Sequence, residues 1–503
     1  MKNAAGSAHN DRLLGGLLSP DIDETTCHSR YKASKHWKPS TLPVSPYLVR
    51  KLRQYEENHR HCGPGTAPYR AALAQLMSGA DGRNNAECKF VVWLPVKGLG
   101  NRMLSVVSTF LYALLTGRVI LIHQPRKMEG LFCEPFPGTS WQLPPDFPHK
   151  DGFSAGSKES YVMMLQNGIV RYDDDGDDNG TSGGGTLLPP FVYLHLESMK
   201  QIRRHTFFKG LEGSNFRLQN HTFCEEDHRV LDKFTWMVLQ SDSYFAVALF
   251  LMPRYKDELD RMFPSKGAVF HHLGRYLLHP GNRAWELVER FYNGYLAGAD
   301  ERLGIQVRIM PYLPMPFEVM YEQIIRCTRE HDLLPQVAEY TCDAATGKQP
   351  AKVKAVLLVL LKSEYFDKLH TLYHRNATVT GELVTVNQPS HDQEQQSDDL
   401  AHNERALAEI FLLSYCDKLV TTARSTFGYV AHALAGLEPW LLTSLDWIKM
   451  RADTACVKAA SVEPCLHQVP SLVCRTEKIL YPVTRFPFLH HCEDVPSGLK
   501  LFD

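Results

Sequence analysis

The sequence predicts an α/β protein with two doubly wound domains in series. Three observations carry that prediction. At 503 residues the chain is too long for one hydrophobic core. A compact β-type run, Phe90–Val96, leads through a glycine-containing turn into an apolar helix over Met103–Thr116 and a second strand, Arg118–His123. That order is the βαβ unit of an open parallel sheet. Helix and strand then alternate again after residue 225, as a second such sheet requires.

Taken in order, residues 1–45 are polar and irregular and read as a leader or stem remnant. Leu48–Leu76 has helical spacing, broken at 61–65 by His-Cys-Gly-Pro-Gly. The stretch 124–190 is rich in Pro, Gly and Asp. Its segment 173–185 reads as a solvated loop, because glycine flanks give its carboxylates no rigid platform for a metal. Arg283–Ala299 is amphipathic, Ile305–Met310 a strand, Ala355–Leu361 a buried strand and Ser363–His374 a helix. Glu382–Val386, Lys418–Thr422 and Pro439–Thr443 read as strands, Asp399–Tyr415 and Phe427–Leu437 as helices. The expected division is an N-terminal domain over 46–300, a C-terminal domain over 301–450 and a Cys-rich tail over 451–503 that packs back on them. A cleft between the domains is expected, with ligands beyond the carboxyl ends of the strands.

Composition narrows the function classes. A hydrophobic share of 44% and a charged share of 22% are ordinary for a globular chain. The formal net charge of -1 offers no basic excess, so a nucleic-acid partner is not expected. No apolar run approaches the ~20 residues needed to cross a bilayer, and residues 1–30 hold no signal-peptide core. The twelve cysteines include no CxxC pair, which disfavours a zinc ribbon, and the last four read as a disulfide framework. Acceptor sequons at Asn179, Asn220 and Asn376 accompany them, and together these features favour an oxidising lumen. Dinucleotide, Walker and His-Glu-x-x-His motifs are missing. The Gly-x-Ser-x-Gly at 152–156 lacks the strand and helix that a nucleophile elbow needs.

Three places could carry chemistry. Lys97-Gly-Leu-Gly-Asn-Arg102 joins a strand to an apolar helix. There Gly98 and Gly100 allow close backbone approach, while Asn101 and Arg102 offer directed hydrogen bonds. The pattern fits contact with a sugar nucleotide or its acceptor, and equally a capped tight turn. In Gly304-Ile-Gln-Val-Arg308 an arginine emerges from a strand end, where its planar fork suits a diphosphate. Taken alone, a surface salt bridge is the commoner explanation of such an arginine. Thr421-Thr-Ala-Arg-Ser-Thr-Phe-Gly428 gathers hydroxyls and N–H groups at a helix start. It can be an anion site or simple N-capping by Ser425 or Thr426.

At these places the sequence resembles the plant xyloglucan α-1,2-fucosyltransferase family. The matching series runs through Leu13-Leu-Gly-Gly-Leu-Leu18, Cys62-Gly-Pro-Gly65, Gly98-Leu-Gly-Asn-Arg-Met-Leu104 and Phe110-Leu-Tyr-Ala-Leu-Leu-Thr116. It continues through Val269-Phe-His-His-Leu-Gly-Arg-Tyr-Leu277, Gly304–Arg308, Ser425-Thr-Phe-Gly-Tyr-Val430 and His491-Cys-Glu-Asp494, and covers roughly residues 11–502.

The resemblance implies a GT-B-type enzyme with two Rossmann-like domains facing a central cleft. It would transfer L-fucose from GDP-β-L-fucose to a galactosyl residue of xyloglucan, inverting the anomeric centre, with no cofactor and no required metal. On this reading Arg308 clamps the diphosphate, and Gln306, Ser425, Thr426, Phe427 and Gly428 contact the donor. Gly98, Gly100, Asn101, Arg102 and His272 line the cleft. Asp242, in Gln240-Ser-Asp-Ser-Tyr-Phe245, is the first candidate base and Asp494 the second. A longer natural form anchored in the Golgi membrane, with this chain in the lumen, is implied, and a homodimer is compatible with it. Arg424 stands where the family commonly has tryptophan, and 173–185 looks like an insertion. Arabinoxylan or arabinogalactan protein remain alternative acceptors, and a non-catalytic polysaccharide-binding subunit is the alternative from another class.

Overall fold

A computed structural model describes residues 11–79, 86–148, 154, 156–170, 188–196, 223–310, 315–338, 352–442, 454–469, 472–474, 478–479 and 482–503. The chain divides into two compact units that are each discontinuous in sequence. One holds a four-stranded sheet and comprises 45–126, 134–266 and 465–503. The other holds a six-stranded sheet and comprises 1–44, 127–133 and 267–464.

In the four-stranded unit, helix α1 (Pro46–Cys62) begins where Ser45 accepts from the N–H groups of Tyr47 and Leu48. Its buried Leu48, Leu52, Tyr55, His59 and Cys62 recur at three- and four-residue spacing, which gives it one core-facing stripe. Helix α2 (Ala67–Met77) is capped by Thr66. Strand β1 (Phe90–Leu94) is wholly buried, and helix α3 (Leu99–Thr116) follows it and ends at Gly117 with φ 67°. Strand β2 (Val119–Ile122), strand β3 (Phe191–Leu196), helix α4 (Glu225–Leu231), strand β4 (Trp236–Ser241) and helix α5 (Lys256–Met262) complete the layer. The strand order is β2-β1-β4-β3, all parallel, with Phe90 in register with both Val119 and Trp236. Such sheets are covered on both faces, which is why β1 and β2 read as unbroken apolar runs. The Phe90 and Trp236 rings stack at 4.2 Å.

In the six-stranded unit come helix α6 (Val269–Leu277), helix α7 (Asn282–Phe291), strand β5 (Glu301–Gln306), helix α8 (Phe317–Glu330), strand β6 (Val353–Val359), helix α9 (Glu364–Arg375) and strand β7 (Leu383–Asn387). Helix α10 (Leu400–Ser414), strand β8 (Lys418–Thr422), helix α11 (Thr426–Ala435), strand β9 (Trp440–Leu442) and strand β10 (Val457–Lys458) follow. The order is β10-β9-β8-β5-β6-β7, parallel except for the antiparallel β10. At the chain's end, strand β11 (Leu489–His491) and strand β12 (Leu499–Leu501) form an antiparallel hairpin in the four-stranded unit.

Three expected boundaries are corrected. Residues 267–300 fold with the six-stranded unit, not with the sheet that precedes them, because α6 packs on α11. There Arg275 donates from Nε to the Leu434 carbonyl at 2.7 Å, and His271 Nδ1 lies 2.9 Å from the Ala433 carbonyl. Residues 11–44 are no separate stem. Trp37 Nε1 donates to Ser414 Oγ at 3.0 Å, and Cys27 is disulfide-bonded to Cys133. The expected tail is divided as well, since residues 454–464 stay with the six-stranded unit and 465–503 with the other.

Among the described residues the other disulfides are Cys62–Cys88, Cys224–Cys474, Cys327–Cys456 and Cys465–Cys492. Only Cys465 and Cys492 of the last four cysteines bond to each other. Cys416 is buried with a free thiol that burial pushes well up. The segment 173–185 lies outside the described residues.

Candidate functional site

In the six-stranded sheet β5 lies between β8 and β6. The chain runs outward from β5 to β6 and β7, then returns to place β8 on the other side of β5. Strand order therefore reverses between β5 and β8. In open α/β sheets, ligands bind beyond the carboxyl ends of the strands at such a reversal.

Arg308 emerges there, two residues past β5. Its backbone N–H donates to Thr422 Oγ1 at 2.9 Å, and that hydroxyl donates in turn to the Gln306 carbonyl at 3.2 Å. One threonine thus ties the two strand ends together. The half-buried Arg308 side chain donates from Nη2 to Oε1 of Gln395. Beyond β8, Ser425 caps α11 by accepting from the Gly428 N–H at 3.4 Å. Thr426 and Phe427 are half-buried in the first turn. Gly428 has a clear structural reason. A Cβ there would meet Gln306 Oε1 and Thr421 Cβ, each at 3.0 Å. Gln306 is only 3% exposed, and among the described residues its Oε1 has no hydrogen-bond partner.

The four-stranded sheet has the same logic. Its β1 lies between β2 and β4, so the reversal falls between β1 and β4. Gly98 caps α3 without a side chain, with Gly100 buried in the first turn. Asn101 Nδ2 donates to the backbone carbonyl of Asp242, just past β4, at 2.8 Å. The structure thereby joins two sequence-predicted residues that lie 141 positions apart. Asp242 is buried, and so is Arg102, at 2% exposure.

The two turns share an unusual backbone. Lys97 (φ 62°) immediately precedes the cap of α3, and Arg424 (φ 59°) that of α11. Both are basic residues in the left-handed region, a conformation that costs about 1–2 kcal/mol outside glycine. Each sheet thus has a basic residue immediately before the cap of the helix that follows its strand.

The sequence model of a family described as xyloglucan fucosyltransferase matches residues 1–475. The chain belongs to the xyloglucan fucosyltransferase family. Its relatives include a galactoside 2-alpha-L-fucosyltransferase of Arabidopsis thaliana, 43% identical over 497 residues, covering 98% of this chain and 83% of that protein. Another bears the same name in Pisum sativum, 41% identical over 498 residues, covering 98% and 82%. Among solved structures, a mutant of Arabidopsis thaliana FUT1 in complex with GDP superposes with TM-score 0.83 at 42% identity. It covers 98% of this chain and all of that one. The fold of this xyloglucan fucosyltransferase family member is of the GT-B type.

Other predicted residues sit elsewhere. His272, expected as a cleft contact, is 4% exposed inside the six-stranded unit, in the middle of α6. Burial and the neighbouring Arg275 lower its imidazole to about 4, against a hydrogen bond with the Pro43 backbone. Asp494 is buried in the turn between β11 and β12, beside the Cys465–Cys492 bond. Asn376 is exposed at the end of α9, with Nδ2 donating to the Leu372 carbonyl. Asn179 and Asn220 lie outside the described residues. Gln395 was not singled out in the sequence, because a polar loop residue carries no signal until the fold sets it beside Arg308. Among the described residues, two groups have metal-ligand spacing, His61-Cys62-Cys88 and Cys224-Glu226-Cys474. Their cysteines are paired in disulfides. No helix among the described residues is long and apolar enough to cross a membrane.

Proposed function

We propose that this chain transfers L-fucose from GDP-β-L-fucose to a galactosyl residue of xyloglucan, forming an α-1,2 linkage with inversion. The observation that carries the reading is that Thr422, at the end of β8 and three residues before the Ser425 cap of α11, holds the Arg308 backbone at the strand-order reversal. In the displacement, the acceptor hydroxyl oxygen bonds to the fucosyl C1 as the bond from C1 to the phosphate oxygen breaks. The electron pair leaves on GDP. Arg308 offers a planar cation to that growing charge, and the N–H groups of the α11 first turn add fixed dipoles. The acceptor proton passes to the Asp242 carboxylate or to water. Gln306 acts from behind, its buried amide pressed against Gly428 at the start of α11.

This reading needs no metal, since arginine and helix dipole supply the positive charge. Five disulfides support folding in an oxidising compartment, and we place the enzyme in the Golgi lumen, anchored in a longer natural form.

The test is a transfer assay with GDP-fucose, EDTA and de-fucosylated xyloglucan, following GDP release and product mass. A gain of one deoxyhexose on xyloglucan is expected. A gain on arabinoxylan or arabinogalactan alone would keep the donor chemistry and overturn the acceptor. A strict metal requirement would overturn the metal-free mechanism.

A further inference from the structure

Arg308 is held by a loop that is itself held in several places. Residues 388–399 connect β7 to α10. Within them Gln395 Nε2 donates to Ser397 Oγ at 2.6 Å, which leaves Oε1 as the acceptor for the Arg308 guanidinium. The loop is fastened to α10 along its length. Near its start Ser390 Oγ donates to the buried Glu409 at 2.5 Å, and Gln388 donates to the Ser390 carbonyl at 2.6 Å. In its middle Asp392 receives two bonds from Arg405, at 3.0 and 2.9 Å, and lies 3.0 Å from His402 Nδ1. Further on, Asn403 Nδ2 donates to the Ser397 carbonyl at 3.1 Å and to the Lys127 carbonyl at 3.0 Å, and Lys127 pairs with Asp398. At its end Asp399 caps α10 through the His402 N–H at 2.6 Å.

This is far more fixing than a solvent-exposed connection needs, and it carries Gln395, which reaches Arg308. We propose that Gln395 is a positioning residue for Arg308, and that the loop 388–399, latched to α10 through Asp392, Arg405 and His402, is its mount. The inference rests on the fucosyltransferase reading above. A glutamine suits the task because a neutral carbonyl oxygen orients a guanidinium without cancelling its charge, leaving the cation available to a diphosphate. A carboxylate in its place would compete with the diphosphate for the same donors. Preorientation matters because a free arginine side chain loses rotamer entropy when it binds.

Four variants test this: Gln395→Ala, Gln395→Glu, Asp392→Asn, and Gln395→Ala combined with Arg308→Ala. The readouts are GDP affinity by calorimetry, steady-state parameters for GDP-fucose and for acceptor separately, and Tm. Gln395→Ala is expected to weaken GDP binding and lower kcat/KM for the donor about tenfold, the loss of one bond to a charged group, with acceptor KM and Tm unmoved. Gln395→Glu is expected to cost more than Ala in donor affinity, and Asp392→Asn to reproduce the Ala pattern. In the Arg308→Ala background Gln395→Ala should change GDP affinity no further. Wild-type behaviour of Gln395→Ala and Gln395→Glu would overturn the inference while leaving the function standing. So would an undiminished effect in the absence of Arg308. Failure of the unaltered chain to bind GDP would overturn both.

Discussion

The backbone N–H of Arg308 donates to the side-chain hydroxyl of Thr422 across 2.9 Å, although 114 residues separate the two in the chain. The bond joins the ends of β5 and β8 at the point where strand order reverses, and so fixes where Arg308 leaves the sheet.

Thr422→Val keeps the β-branched shape and removes the hydroxyl. It leaves the Arg308 N–H without its partner, an expected cost of about 1–3 kcal/mol. Chemical denaturation should show that loss, with a parallel fall in GDP affinity, and Thr422→Ser should recover both.

Arg308→Ala should lower transfer by at least about a hundredfold while Tm stays close to wild type, because the side chain is half-exposed and acts on developing charge. Arg308→Lys should recover little, since a point charge cannot reproduce the planar fork. An unchanged rate in the alanine variant would remove Arg308 from the mechanism.

Asp242→Asn is expected to depress kcat far more than GDP-fucose affinity. The backbone carbonyl that receives the Asn101 amide survives the change, so the turn between β1 and α3 keeps its support. A selective loss of donor binding, read by calorimetry, would assign Asp242 a structural role.

Glu409 titrates oppositely to an ordinary paired carboxylate. Burial raises it to about 7 from 4.5, against the Ser390 hydrogen bond, with Asp392 adding to the rise and Arg405 opposing it. Between those values the folded chain holds a proton that the unfolded chain has released. The contribution of Glu409 to stability therefore falls as pH rises through this window and is flat above it. Glu409→Gln should gain stability relative to wild type from pH 5 to pH 8, measured as the difference between the two denaturation curves. Taking the difference is needed because buried His59 and His272, both lowered to about 4, lose stability in the acid direction. A constant difference across that range would contradict the assignment.

Gly304→Ala should destabilise by about 1–3 kcal/mol. Its Cβ would lie 2.6 Å from Leu419 Cδ2, 2.9 Å from Leu413 Cδ2 and 3.1 Å from the Cys416 sulfur. Thermal unfolding of the variant gives the value directly.

The sequence and the structure agree where local pattern decides. Strands β1, β2, β6, β7, β8 and β9 were legible because apolar runs bounded by turns form buried parallel strands, whereas β5 was expected at Ile305–Met310 and lies at Glu301–Gln306, where Glu301 and Arg302 interrupt the apolar pattern. Strands β3 and β4 were not placed, since β3 directly follows a proline-containing stretch and no turn residues frame β4 cleanly. The motif around Arg308 stood out in the sequence, but strand order is a long-range property. Nothing local in residues 304–308 says that Thr422 will stand beside them. His272 was singled out from its motif, and the fold buries its imidazole in the middle of α6. Gln395 gave no warning at all, because its role exists only once β7, α10 and β5 have been assembled.

The junctions at 44/45, 126/127, 133/134, 266/267 and 464/465 have a consequence for biosynthesis. A ribosome delivers most of the four-stranded unit first, yet that unit must wait for its final segment, 465–503, to close Cys224–Cys474 and Cys465–Cys492. The six-stranded unit, begun with residues 11–44, has all of its chain once 464 has emerged. The half whose sheet is delivered first is therefore finished last, and a chain terminated shortly before Cys474 leaves the thiol of Cys224 without its partner.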